Sequence, residues 1–139
     1  MQTELPEVAR PTEPKVWKQV NSITIAFGHG VSTTPLQTAV GCAALMNGGF
    51  LIEPTFLPRT QEEAMSVAKK VVSEKTVEAM RYLYSLNAEK GSGKSARVPG
   101  YRVGGKTGTA EKVVNGRYSK EKNFNAFVAA FPMDDPQYI

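Results

Sequence analysis

The stretch at residues 103–112 constrains the fold of this chain more than any other. It reads Val-Gly-Gly-Lys-Thr-Gly-Thr-Ala-Glu-Lys, so three of its ten residues are glycine. In a β-strand, alternation would place Lys106 and Gly108 on one face and Thr107 and Thr109 on the other. Glycine costs a strand both backbone entropy and packing. We therefore expect a strand whose backbone something approaches closely.

The overall composition is that of one ordinary soluble domain. The chain has 139 residues, which is enough to enclose a hydrophobic core. Apolar residues make up 41% and charged residues 22%, and no apolar run approaches the ~20 residues that cross a bilayer. Met1 is followed by a polar, proline-rich segment, so we expect no signal peptide here. Any export signal of a parent protein would lie outside this chain.

Charge and the rare side chains exclude several classes of function. The net charge is +4, and the basic residues are scattered with a bias towards the C-terminal half. Nucleic-acid binding needs a clustered basic stripe with aromatic platforms, so we expect no nucleic-acid partner. The single cysteine, Cys42, lies in an apolar run and is expected to be a buried thiol. The single histidine, His29, lies between two glycines, and we therefore expect no metal site and no cofactor.

The first part of the chain predicts an extended segment followed by a short strand. Prolines and mixed charges indicate that residues 1–20 are a lead-in to a domain over residues 21–139. Apolar residues alternate with polar ones over residues 21–27, which predicts a strand. Residues 50–58 are expected to be extended, and residues 60–70 favour either a short exposed helix or a loop.

Two helices are predicted from their caps. Thr34 precedes Pro35 and forms a Thr-x-x-Gln capping box, and the apolar residues that follow predict a buried helix ending at Gly48. Ser73 caps a second helix. Its expected buried face consists of Val77, Met80, Leu83 and Tyr84. Residues 87–93 are expected to form the loop after it.

The C-terminal third predicts an antiparallel pair of strands. Pro99 and Gly100 form a turn before the glycine-rich strand, and Asn115 with Gly116 is a tight-turn signal after it. The apolar residues 124–131 then predict the partner strand. The fold class is therefore α+β, with an antiparallel sheet flanked by helices. The apolar end of the chain looks like the start of a further strand, which suggests truncation before the last strand of the sheet.

Three short segments match known sequence motifs, but their predicted structural context does not fit those motifs. Gly93-Lys94-Ser95 fits a loosened phosphate loop, but such a loop needs a strand before it and a helix after it. Ser66-x-x-Lys69 fits the nucleophile motif of acyl-serine enzymes, and Ser85-x-Asn87 fits its usual companion. A catalytic serine and lysine require a buried, rigid helix. Ser66 lies among charged residues and Ser85 on a polar helix face, so we interpret both matches as chance.

The longer context of the glycine-rich strand resembles the transpeptidase domain of class B penicillin-binding proteins, most closely the septal, cell-division member. The resemblance extends over about residues 17–139 and rests on several segments. These are residues 27–30, 34–37, 47–49, 91–93 with Ala96, 98–101, 104–112 and 127–132. The fold it implies is the one shared by penicillin-binding proteins and serine β-lactamases. In this family the nucleophile motif lies upstream of the helix that begins at Thr34, so the chain would be the C-terminal part of the domain, without its nucleophile.

The resemblance also implies roles for four residues. A stem peptide ending in D-Ala-D-Ala, or a β-lactam, would lie against the strand, and Gly108 would leave room for it. The hydroxyls of Thr107 and Thr109 would hold its carboxylate. Lys106 would supply positive charge and assist proton transfer, and the Thr109 backbone N–H would be an oxyanion donor. Alternation places Lys106 and the threonines on opposite faces, so a twist or a bulge would be needed to bring them together.

The partners and location follow from the same resemblance. The partners would be the peptidoglycan stem peptide, β-lactam antibiotics, the rest of the transpeptidase domain and other division proteins. The parent would lie in the inner membrane with its catalytic domain on the periplasmic side. Two alternatives remain open from the sequence: a non-catalytic module that binds peptidoglycan or a protein partner, and a fragment of a serine β-lactamase.

Overall fold

The computed structural model describes residues 3–6, 10–114 and 117–139. In chain order the elements are α1 (Gln19–Ile25), α2 (Pro35–Met46), β1 (Phe50–Leu51), α3 (Gln61–Ser66), β2 (Lys69–Lys70), α4 (Glu74–Lys90), a short 3-10 helix (Lys94–Ala96), β3 (Gly104–Val114) and β4 (Arg117–Ala130). β1 pairs with β2 and β3 with β4, both antiparallel. This mixture of helices and antiparallel strands confirms the predicted α+β class.

The structure contradicts the strand predicted at residues 21–27, because residues 21–25 belong to helix α1 and the chain turns after them. The Asn21 side chain accepts a hydrogen bond from the Lys18 amide (2.8 Å) and closes the first turn, and the Thr24 hydroxyl donates to the Val20 carbonyl (3.0 Å). None of the α1 residues is buried. The alternating apolar residues therefore do not mark the buried face of a sheet, and local capping decides the conformation.

Helix α2 begins and ends as its sequence predicts. The Thr34 hydroxyl accepts from the Gln37 amide (3.2 Å), and the Gln37 side chain accepts from the Thr34 amide (2.9 Å). After the helix, Gly49 has a φ of +94°, and a Cβ there would lie 2.3 Å from the Val72 carbonyl oxygen. The expected burial is only partly observed, since Ala44 and Met46 are the buried residues of α2.

Helix α4 is capped as predicted, but it is longer than predicted and its buried face does not include all the expected residues. The Ser73 hydroxyl accepts from the Thr76 amide (3.2 Å). Val77 and Tyr84 are buried, whereas Leu83 is half exposed, so Leu83 does not belong to the expected buried face. The helix also continues to Lys90 through part of the predicted loop. Alanine, glutamate and lysine at its end are good helix formers, which explains the extension.

The core lies where α2, α4 and the end of β4 meet. Met46, Tyr84, Ala130 and Met133 form its buried cluster. Arg81 of α4 donates through Nε (3.1 Å) and Nη2 to the Met46 carbonyl, one of the carbonyl groups that the end of α2 leaves without a helical partner. This contact holds the C-terminal end of α2 against the side of α4. Helix α4 in turn packs along β3.

The smaller elements complete the chain. The expected extended segment at residues 50–58 forms a strand only at Phe50–Leu51, and residues 60–70 contain the short helix α3 and then β2. The turn predicted at Asn115 and Gly116 lies outside the described residues. Within the ranges given above, none of the helices is both long and apolar enough to cross a membrane.

Candidate functional site

Strand β3 has one paired edge and one open edge. Its register with β4 is continuous from Gly104, opposite Ala130, to Glu111, opposite Asn123, and shifts only between Glu111 and Val113. No other strand pairs with β3 in the described part of the chain. The carbonyls of Gly105 and Thr107 accept hydrogen bonds from side chains. By the alternation of an antiparallel ladder, the backbone groups of residues 105, 107 and 109 therefore face the open edge.

The three glycines of β3 have different surroundings. A Cβ at Gly104 would lie 2.5 Å from the Met133 sulfur, and one at Gly105 would lie 2.5 Å from the Val128 carbonyl oxygen. The protein itself therefore approaches the backbone at these two positions. A Cβ at Gly108 would meet nothing closer than 3.9 Å, at Ala126. Packing inside this chain does not require glycine at position 108.

The Lys106 side chain extends around the strand edge. Its Nζ donates to the Thr107 carbonyl (2.6 Å) and lies 3.5 Å from the Thr107 hydroxyl. Lys106 is exposed, and the register around it is regular. The lysine side chain thus reaches from its own face of the strand to Thr107 without a bulge, because the register shift lies beyond Glu111.

The two threonines have different surroundings. Thr107 is half buried, and its hydroxyl lies 2.7 Å from the Ser92 hydroxyl. Thr109 is exposed, and no side chain among the described residues hydrogen-bonds to its hydroxyl. A cavity of about 320 Å³ opens beside Thr107, and it is lined by Ser92, Gly93, Ser95, Ala96, Thr107 and Phe127. The site is therefore an exposed strand edge with a shallow cavity on the Thr107 side.

Neither serine of the two acyl-serine matches, Ser66 or Ser85, hydrogen-bonds to residues 106–109. Ser66 is the last residue of α3, is exposed, and donates to the Glu63 carbonyl (2.7 Å). Lys69 belongs to β2 and not to the same helix. Ser85 lies in α4 beside a larger cavity of about 630 Å³, which contains none of residues 106–109. The basic loop that includes Lys94 is a 3-10 turn after a helix.

Two further residues contact the strand. Asn87 donates to the Gly105 carbonyl (2.7 Å), and Ser92 contacts Thr107. Signals for both were present, because Asn87 ends the Ser-x-Asn match and Ser92 lies between two glycines. Both fell in a segment that was expected to be a flexible loop, and the extension of α4 explains why Asn87 is held in place.

The remaining chemistry-bearing side chains have structural contacts. The Cys42 sulfur lies 3.3 Å from the Tyr84 hydroxyl and is half buried. Burial raises the pKa of Tyr84, and the hydrogen bond with Cys42 adds to this increase. The His29 ring packs edge-on against Phe27, with ring centroids 5.3 Å apart. No group of three His, Cys, Asp or Glu side chains that could hold a metal ion occurs within the described ranges.

Comparison with known proteins identifies the domain. Residues 2–139 match the family described as the penicillin binding protein transpeptidase domain. Stage V sporulation protein D of Bacillus subtilis is 38% identical over 129 residues, which cover 86% of this chain and 20% of that protein. The probable peptidoglycan D,D-transpeptidase FtsI of Caulobacter vibrioides is 38% identical over 138 residues, covering 96% and 23%.

The solved structures agree in fold. The transpeptidase domain of penicillin-binding protein 3 from Burkholderia pseudomallei superposes with a TM-score of 0.85 at 31% identity, covering 98% of this chain and 42% of that one. The chain thus spans about a fifth of the length of its curated relatives. The chain belongs to the penicillin-binding protein transpeptidase family and forms part of the transpeptidase domain.

Proposed function

We propose that this chain forms one wall of the active site of a peptidoglycan D,D-transpeptidase, which cross-links stem peptides and is acylated by β-lactams. The observation that carries the proposal is the open edge of β3, with Lys106 and Thr109 exposed on it, in a chain that matches the transpeptidase family over residues 2–139. The nucleophilic serine would lie in the part of the domain that this chain does not include.

The substrate would bind as an additional strand on the open edge. Backbone N–H and C=O groups of residues 107 and 109 face this edge, as strand addition requires, whereas Asn87 already occupies the Gly105 carbonyl. Gly108 supports this proposal, because packing within the chain leaves space at that position. A substrate or β-lactam backbone could therefore approach β3 at Gly108 without a clash with a side chain.

Lys106 and Thr109 would supply the charge complementarity. The substrate carboxylate would meet the Lys106 ammonium and the Thr109 hydroxyl, with Thr107 beside them. Lys106 would also assist proton transfer through the Ser-x-Asn motif elsewhere in the domain. The Thr109 backbone N–H would stabilise the oxyanion of the tetrahedral intermediate, and removal of one such donor costs about 10²–10³ in rate.

The setting would be cell-wall synthesis during division. Relatives named FtsI and stage V sporulation protein D support this context. The catalytic domain would lie on the periplasmic side of the inner membrane. Its partners would then be the stem peptide, β-lactams, the rest of its own domain and other division proteins.

A fluorescent penicillin tests this proposal. The complete transpeptidase that carries this sequence should form a covalent adduct, and its Lys106→Ala variant should react at least about 10²-fold more slowly, because charge placed for the transition state is lost. The 139-residue chain alone should form no adduct. Both outcomes are measured by gel fluorescence and by intact mass.

Three results would contradict the proposal. Normal acylation of the Lys106→Ala variant would remove the role assigned to Lys106. A label on Ser66 in the chain alone would make Ser66 the nucleophile. Rapid release of hydrolysed β-lactam by the complete protein would indicate a serine β-lactamase, whereas failure of the complete protein to react would indicate a non-catalytic binding module.

A further inference from the structure

Asn87 and Ser92 join the end of α4 to β3 through four hydrogen bonds. The Asn87 amide nitrogen donates to the Gly105 carbonyl (2.7 Å). Its amide oxygen accepts from the Ser92 backbone N–H and from the Ser92 hydroxyl, both at 3.2 Å. The Ser92 hydroxyl lies 2.7 Å from the Thr107 hydroxyl. We call these four contacts the Asn87–Ser92 bridge.

The partners fix the orientation of the Asn87 amide. A carbonyl can only accept and a backbone N–H can only donate, so the nitrogen of the amide must face Gly105 and its oxygen must face Ser92. If the Thr107 hydroxyl donates to Ser92 and Ser92 donates to Asn87, each hydroxyl proton is used once. The Lys106 ammonium, 3.5 Å from the Thr107 hydroxyl, favours this direction because it can only donate to that oxygen.

The loop after α4 is shaped around the Asn87 side chain. A Cβ at Gly91 would lie 2.3 Å from the Asn87 amide oxygen, and one at Gly93 would lie 3.1 Å from its amide nitrogen. Glycine on both sides of Ser92 thus leaves the space that the amide occupies. This is independent of the hydrogen bonds and indicates that the loop accommodates the bridge.

We propose that Asn87 and Ser92 are positioning residues of the transpeptidase site, which place the open edge of β3 and direct the Thr107 hydroxyl proton away from the substrate. This inference rests on the function proposed above. Thr107 would then present its oxygen to Lys106 and hold that ammonium in place. The Lys106 ammonium and the Thr109 hydroxyl would remain as the donors for the substrate carboxylate.

The bridge predicts a defect that depends on the carboxylate. A misplacement of about 1 Å can cost up to about 10²-fold in rate. Without Asn87, Gly105 and Thr107 lose their fixed position relative to α4, and the carboxylate donors shift with them. A β-lactam that bears a carboxylate should therefore lose more reactivity than one in which the carboxylate is esterified.

The experiment compares benzylpenicillin with its methyl ester on the complete transpeptidase that carries this sequence. The acylation rate constant for each probe is measured for Asn87→Ala, Ser92→Ala and Ser92→Thr, together with thermal unfolding. Ser85→Ala is the matched control, since Ser85 lies in the same helix and outside the bridge. We expect the rate constant for benzylpenicillin, divided by that for its methyl ester, to fall about tenfold in Asn87→Ala. It should fall less in Ser92→Ala, be restored in Ser92→Thr and stay unchanged in Ser85→Ala.

The outcomes separate this inference from the function itself. An equal loss for both probes in Asn87→Ala and Ser92→Ala, or no loss, would overturn the positioning role while the wild-type protein is still acylated. A wild-type protein that neither probe acylates would instead overturn the proposed function. Ser92→Ala keeps the test valid if Asn87→Ala does not fold, because it removes one hydroxyl and leaves the helix intact.

Discussion

Glycines of a single strand can be required by the fold or by a ligand, and the free space beside each Cα separates the two cases. Gly104 and Gly105 lie against Met133 and the partner strand, so the protein core requires them. Gly108 has free space, so the core does not. The sequence shows three equivalent glycines beside Lys106. Only the packing shows that the space beside Gly108 remains open to a ligand.

This difference predicts opposite behaviour for two alanine variants of the complete transpeptidase. Gly105→Ala should lower the free energy of unfolding by about 1–3 kcal/mol, because its Cβ would overlap Val128 and Phe127. Gly108→Ala should leave stability within about 0.5 kcal/mol of wild type but slow acylation by penicillin. Urea unfolding and the acylation rate constant measure the two effects. A stable, fully reactive Gly108→Ala variant would contradict the role of Gly108.

At the scale of the elements, α4 is the part that connects the core to the site. Tyr84 and Arg81 face the core and the end of α2, and Asn87 at its end contacts β3. The burial that holds Tyr84 also raises its pKa. In the unfolded chain a tyrosine ionises near pH 10. The contribution of Tyr84 to stability is therefore complete below about pH 10 and is lost as the pH rises further.

Tyr84→Phe should accordingly make the stability of the complete domain less sensitive to alkaline pH. The free energy of unfolding of the wild type should fall between about pH 9 and pH 11, and the variant should show a smaller fall. Urea unfolding at several pH values provides the measurement. Tyr82→Phe is the control, since Tyr82 is exposed on the same helix. Equal slopes for the two variants would contradict the assignment to Tyr84.

The elements whose signals are local could be predicted from the sequence. The capping box of α2, the Ser73 cap of α4, the stop at Gly48 and the pairing of β3 with β4 follow from short patterns. The segment at residues 21–27 could not be predicted, because its alternation resembles a strand and the Asn21 cap decides otherwise. Asn87 was missed for a similar reason, since its role depends on Gly105, which is distant in sequence.

At the scale of the whole molecule, the chain exposes more surface than a compact domain of its mass. Its accessible surface is 10557 Å². A folded monomer of 15.1 kDa would expose about 7,100 Å². Large apolar side chains such as Val20, Ile23 and Phe27 around α1 are among the exposed ones. We propose that the rest of the transpeptidase domain covers these faces, with residues 21–139 as its C-terminal part and residues 1–20 as a lead-in.

The isolated chain should therefore behave as an incomplete domain. We expect helical circular dichroism, binding of a dye specific for exposed apolar surface, and a broad urea transition, because little of its apolar surface is buried. The complete transpeptidase, measured in parallel, should bind little dye and unfold sharply. A sharp, dye-free transition for the 139-residue chain would show that its own core is sufficient.

The open edge of β3 has a consequence for solubility. Unpaired N–H and C=O groups in a row form a template for any strand, including β3 of another copy. In a complete enzyme, walls around the groove would limit access to a thin peptide or a small molecule. In the isolated chain the Asn87 side chain covers the Gly105 carbonyl and the Lys106 side chain covers the Thr107 carbonyl, and the rest of the edge up to Thr109 stays open. A strand edge suited to receive a peptide is thus also the point from which two copies of this chain would begin to aggregate.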